Sequence, residues 1–147
     1  MTRRGRFADV WFRAMSRAHA ALLRLSRWHV GAGIVGMPVV MLRTTGRRSG
    51  RVRDVVLSSP IVDGDRVVLV ASKGGDDRDP EWYRNLVAQP AVELTLRGVT
   101  RAMTARTADA AERAELWPRV VARYSGYAGY QRRTSREIPL VVCEPRG

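Results

Sequence analysis

With 147 residues, the chain is long enough for one domain with a proper core, and its hydrophobic and charged content is that of a soluble globular protein. The single cysteine, Cys143, excludes an internal disulfide and fits a reducing cytosol; with only two scattered histidines beside it, no metal site is expected. The net charge of +12 favours a polyanionic partner, whether nucleic acid, an anionic membrane surface or a small anionic ligand.

Every one of the 26 basic residues except Lys73 is arginine, so much of the charge reflects a composition-wide bias and the lone lysine stands out. No apolar run approaches the length of a membrane span, and no signal-peptide pattern appears, so the chain reads as cytoplasmic.

Residues 6–29 have the period of one amphipathic helix. Phe7, Val10, Trp11, Met15, Ala18, Leu22, Leu25 and Trp28 fall on one arc, with Arg6, Arg13, Arg17, Arg24 and Arg27 along its edge. Two readings stand: a helix lying in an anionic membrane interface, or one packed on the domain's own core. Phe12 and Leu23 lie off the arc and fit neither cleanly. Gly31, Gly33, Gly36 and Pro38 then end the helix, giving an N-terminal unit over 1–37 and a folded unit over 38–147.

From Val39 the texture becomes that of strands. Segments 39–45 and 52–62 flank a turn in which Gly46 and Gly50 bracket Arg47, Arg48 and Ser49, with Arg43, Arg51 and Arg53 beside it. Glycines let backbone N–H groups converge and guanidinium forks bind oxyanions, so the turn reads as a seat for phosphate or carboxylate, or else as a solvated hairpin tip. It lacks the spacing of a phosphate-binding P-loop and of a dinucleotide fingerprint.

Asp63-Gly64-Asp65 is a hairpin turn, and 66–72 a further strand broken by Lys73-Gly74-Gly75. Asp79 is placed to cap a short helix over 81–88 with Pro80 at its first position. Segments 91–97 and 99–106 are two strands turning at Gly98. Asp109 and Glu112 form a capping-box start for a helix to about Tyr124, which Pro118 is expected to kink or divide. Tyr124, Tyr127 and Tyr130 then recur every third residue in a glycine-containing segment with the look of a lid, and 138–143 is a closing strand. About six strands and few helices make the chain mainly β with helices, a small barrel.

Three blocks together carry a resemblance. They are Thr44-Thr-Gly-Arg-Arg-Ser-Gly-Arg-Val-Arg53; Ala71-Ser-Lys-Gly-Gly75 with Pro80-Glu-Trp-Tyr-Arg-Asn-Leu86; and Glu112 through the three tyrosines to Pro145. In this order and spacing the chain resembles the deazaflavin-dependent nitroreductase family, actinobacterial oxidoreductases that use coenzyme F420. The resemblance covers about 38–145 and implies a split β-barrel like that of the FMN-binding proteins.

It also implies a coenzyme site. Arg47, Arg48 and Ser49 would hold the phosphate and glutamate tail. Arg53, Asp54, Val55, Val56 and Leu57 would line the deazaflavin and ribityl chain, Ala71, Ser72 and Lys73 would continue that wall, and Trp82, Tyr83, Arg84 and Asn85 would close it. Arg48 replaces the family's usual lysine and Val56 its usual proline, which puts the strand under the ring in doubt.

The implied reaction is hydride transfer from reduced F420 to a quinone or nitroaromatic acceptor. The coenzyme carries the redox chemistry and the protein orients, excludes water and stabilises charge. Tyr124, Tyr127 and Tyr130 are the candidate acceptor wall, Tyr127 also reaching the coenzyme, with Ser72 as a second hydrogen-bond donor. The rivals are a split barrel binding FMN or haem, and a non-enzymatic module binding membrane or nucleic acid, although no nucleic-acid motif is present.

Overall fold

The computed structural model describes residues 36–146. The helix expected over 6–29, its apolar arc and its arginine edge lie outside the described residues. Seven strands, β1 (Val39–Thr45), β2 (Val52–Ser58), β3 (Ile61–Asp63), β4 (Arg66–Val70), β5 (Ala91–Leu96), β6 (Val99–Thr107) and β7 (Leu140–Pro145), form one antiparallel sheet. Their spatial order is β2-β1-β5-β6-β7-β4-β3.

That order forces closure. β2 and β3 are the two edges, yet only Ser59 and Pro60 connect them. A flat seven-stranded sheet would separate its edges by roughly 29 Å, six spacings of about 4.8 Å. Three Cα–Cα steps from Ser58 to Ile61 reach at most about 11 Å. The sheet must therefore curl until its edges meet, which gives a split β-barrel.

Ser59 is the stitch at the seam and is fully buried. Its N–H donates to the carbonyl of Pro38 just before β1 (2.8 Å), and its hydroxyl is shared between the carbonyls of Val68 on β4 (2.8 Å) and Ile61 (3.0 Å). Here the structure divides the single strand expected over 52–62. Pro60 has no N–H to continue a ladder, and the chain crosses from one edge to the other at this point.

Alternation assigns the faces. Val40, Leu42, Val67, Leu69, Val92, Leu94, Met103, Ala105, Val141 and Cys143 fill the barrel interior. In β4 and β7 the residues between them, Val68, Val70, Leu140 and Val142, are buried as well, on the outer face. These two strands read as unbroken apolar runs because helices cover them outside. The cover is α2 (Ala110–Arg123), through Leu116 and Val120, and α3 (Gly126–Arg132), through Tyr127. α1 (Glu81–Ala88) instead plugs one end of the barrel with Leu86, Trp82 and Tyr83.

The capping box forms as expected, Glu112 N–H donating to Asp109 Oδ1 (2.8 Å) and Asp109 N–H to Glu112 Oε1 (3.3 Å). Two local expectations fail. Asp79 does not cap α1; Pro80 is the capping residue, and the Asp79 carboxylate is taken by Arg136 (3.1 Å). Pro118 does not divide α2, which is continuous through it, the ring lying on the exposed face. In the tyrosine segment the short helix α3 forms. Among the described residues no helix is long and apolar enough to cross a membrane.

Ser59→Ala should lower stability by about 1–3 kcal/mol, the price of leaving buried carbonyls short of a donor. Urea unfolding should show a lower midpoint with an unchanged slope. A midpoint equal to that of the wild type would remove Ser59 from the closure.

Candidate functional site

The strand registers put the first two blocks at one end of the barrel. β1 ends and β2 begins at the arginine turn, and β5 begins and β6 ends on the same side. β4 runs out there into residues 71–75, and α1 closes that end.

The turn itself is compact. Gly46 N–H donates to the Arg51 carbonyl (2.7 Å) and Gly50 N–H to the Gly46 carbonyl (2.8 Å). A Cβ at Gly46 would lie 2.7 Å from Ser49 Oγ and 3.2 Å from the Arg51 carbonyl, so a side chain there would make Ser49 rotate and the turn give slightly. Arg47 ties the turn to α1. Its N–H and guanidinium both donate to Asn85 Oδ1 (3.2 and 3.0 Å), and the guanidinium also meets Glu81 Oε2 at 2.7 Å. Asn85 Nδ2 donates to Thr44 Oγ1 (3.3 Å), and both of these residues are buried. Asn85 is thus a bracket between turn and helix, and Arg47 is largely committed to holding it. Arg48, Ser49, Arg51 and Arg53 stand exposed on the turn and the start of β2.

Glu81 is the residue the sequence did not single out. Arg47's hydrogen bond holds its carboxyl below the usual range, with Arg84 and Lys73 adding to the effect against the opposing pull of burial. The first and second blocks therefore meet around one carboxylate ringed by three cations.

Lys73 sits at φ 45°, left-handed for a non-glycine residue, and Gly74 (φ 64°) and Gly75 (φ 87°) continue that path. At Gly75 a Cβ would lie 2.7 Å from the Tyr130 carbonyl, so α3 and this turn are in close contact. Arg136 sews the loop down. It donates to the carbonyls of Ala71 (3.2 Å), Ser72 (3.0 Å) and Asp76 (2.8 Å) and to the Asp79 carboxylate. Ala71 and Ser72 are buried beneath it. Nothing in the sequence separates Arg136 from the other arginines, because its role is defined only by backbone carbonyls distant in the chain.

The five β2 candidates do not share a face. Val55 and Leu57 pack toward the interior, with Arg53 on their side, whereas Asp54 and Val56 point the other way. Asp54 also receives a two-pronged pair from Arg43 across the strand (2.8 and 3.0 Å), which raises the Arg43 pKa, with Glu93 3.8 Å away. Trp82 and Tyr83 meet edge to face at 6.4 Å, and the Tyr83 hydroxyl bonds Thr107 Oγ1 (2.8 Å).

Tyr124, Tyr127 and Tyr130 form a triangle of edge-on rings with centroids 5.3–6.4 Å apart. A Cβ at Gly126 would collide with the Tyr124 ring, so that glycine makes the triangle possible. Tyr127 is 6% exposed, its hydroxyl aimed at Met37 Sδ (3.9 Å), and burial pushes its phenol up to about 12. Tyr124 and Tyr130 are half-buried, and Tyr124's hydrogen bond is the main cause raising the Tyr130 phenol.

A split barrel with a basic, helix-plugged end and an aromatic cluster beside it is the architecture of a deazaflavin-type oxidoreductase. The model of the F420H(2)-dependent quinone reductases matches residues 15–145, and the chain belongs to that family. Its cofactor is coenzyme F420. The F420H(2)-dependent quinone reductase Rv1261c of Mycobacterium tuberculosis is 39% identical over 134 residues, 88% of this chain and 89% of that one. A solved F420-H2 dependent reductase, FDR-A, superposes with a TM-score of 0.66 at 39% identity, covering 73% of this chain and 94% of its own. A haem-binding protein of Mycobacterium smegmatis has the same fold (TM-score 0.57) at only 17% identity, which is likeness of fold alone.

The Tyr127 environment sets an alkaline limit. Its folded pKa, about 12, lies above the ordinary 10.0, so its contribution to stability is whole below pH 10 and is lost as pH rises toward 12. The loss should approach about 2–3 kcal/mol. Tyr127→Phe should flatten that limb in melts between these values. An equally steep limb in the variant would place the cause elsewhere.

Proposed function

We propose that the α1 end of the barrel binds reduced F420 and that the enzyme passes a hydride from it to a quinone. The observation that carries this reading is the convergence of the arginine turn, Lys73 and Arg84 on the N-terminal turn of α1. F420 is a polyanion with a phosphodiester and a glutamate tail, and a set of exposed guanidinium donors beside a lysine has the chemistry to receive it. When bound, the coenzyme supplies the hydride.

The chain's residues do the rest. Arg48, Ser49 and Arg53 hold the tail, while Arg47 and Asn85 keep the turn on the helix. Lys73, fixed in its left-handed conformation by Arg136 and α3, presents a compact charge toward the same end. Ser72, Val55, Leu57, Trp82 and Tyr83 form the wall, and Asp54 and Val56 contribute backbone rather than side chain. Tyr124 and Tyr130 bound the acceptor side, and Tyr127 sets their rings in place from the core. Nitroaromatics, flat and electron-poor, are a second acceptor class for such a pocket. Residues 6–29 act as a peripheral anchor on an anionic membrane, where a lipid quinone is found, whereas Met37 belongs to the core beside Tyr127.

One assay tests these points. F420 fluorescence should change on binding, and Arg48→Ala with Arg53→Ala should weaken binding tenfold or more, since each charged hydrogen bond is worth roughly 1.5–3 kcal/mol. Reduced F420 should be consumed with menadione; with a lipid quinone in anionic vesicles, consumption should need residues 6–29 and fall with salt. Tight binding of FMN with none of F420 would overturn the coenzyme reading, and vesicle activity indifferent to truncation would overturn the anchor.

A further inference from the structure

The barrel has a second end, and no described residue plugs it. Between the β3–β4 and β5–β6 hairpins a cavity of about 240 Å³ opens into the interior. Its floor is core: Val67, Leu94 and Met103, each no more than 3% exposed. Its rim carries Asp65, Arg97 and Arg101. Arg101 is paired with Asp65, which leaves Arg97 as the unbalanced charge at the mouth, with no ion pair among the described residues.

Arg97 is there against local preference. It is the first central residue of a two-residue hairpin turn, at φ 52°, followed by Gly98 at φ 78°. A turn with both residues left-handed favours Asn, Asp or Gly, and an arginine in it carries backbone strain. Strain of this kind collects where a side chain is needed for function. A cavity with an apolar floor and a strained cation at its mouth are independent observations, and they agree.

We propose that this end is a second ligand site, for a short aliphatic chain with a single anionic head group, of which a medium-chain carboxylate is the simplest form. The chain lies on Val67, Leu94 and Met103, and the head group meets Arg97. The volume falls below the roughly 300–1,000 Å³ of sites for larger ligands, which suits a chain better than a fused ring. A polyanion has no place on such a floor, because its charges would lose water without partners. The arginine turn lies at the other end of the strands, roughly 20 Å away for a strand of β1's length, so both sites can fill at once.

The test is calorimetric titration of the full chain, first saturated with F420, with the straight-chain carboxylates from hexanoate to dodecanoate and the matching alcohols. Affinity should rise about fourfold per methylene until the cavity is full, then level off. Each alcohol should bind roughly tenfold or more weakly than its acid, for want of the charged hydrogen bond. Arg97→Gly, which suits the turn better, should keep or raise the Tm, leave F420 affinity unchanged and bring the acid down to the alcohol's affinity. Leu96→Trp, at the cavity wall, should abolish binding of both. Absence of carboxylate binding, binding displaced by F420, or an Arg97→Gly variant that still prefers the acid would each overturn the proposal.

Discussion

The two residues Ser59 and Pro60 constrain the whole molecule. They join strands at opposite edges of a seven-stranded sheet, so the sheet has no choice but to curl. Ser59 completes the seam by hydrogen bonds to carbonyls before β1, at the start of β3 and on β4. Closure then creates an inside, filled by alternate residues of the strands, and two ends with different fates. One end receives α1 and gathers the arginine turn, Lys73 and their neighbours. The other lies between two hairpins and is open among the described residues.

The net charge of +12 is the excess left after each ion pair has cancelled one charge of each sign, yet many of the arginines have local structural roles. Arg43, Arg66, Arg106 and Arg119 are tied to carboxylates that fasten strand to strand or helix to sheet, while Arg113 and Arg136 are tied to carboxylates in the connecting segments. The Asp63 carboxyl, held down to about 2 chiefly by hydrogen bonds from Arg119 and Arg66, is one such fastening between α2 and the β3–β4 hairpin. Arg48, Arg51 and Arg53 belong to a different class, exposed at the plugged end. They are the residues proposed to receive the polyanionic coenzyme, and the family membership gives that coenzyme its name.

Much of this was legible in the sequence because the signals are local. β1 and α1 fall within the expected bounds, as does the capping box of α2, since period, proline and capping chemistry are written in consecutive residues. What was not legible depends on distant partners. Pro60 was a local signal for the break in the strand expected over 52–62, but no local pattern says that Ser59 bonds a carbonyl on β4. Asn85 looked like a ligand residue, yet it brackets Thr44 and Arg47, and Arg136 had no signal at all. The β2 candidates were named as a consecutive run, although a strand offers only alternate side chains to one face. Tyr127 was read with its neighbours by spacing, but spacing does not reveal that its ring is buried within the core while theirs are half-buried against it.

The central claim is that the coenzyme sits at the plugged end of the barrel, and amide chemical shifts of the labelled protein titrated with F420 test it most directly. The account predicts the largest shifts in 46–51, 72–75 and 81–85, with the hairpins at 63–66 and 96–99 unmoved. Shifts concentrated in those two hairpins, with the arginine turn silent, would contradict it.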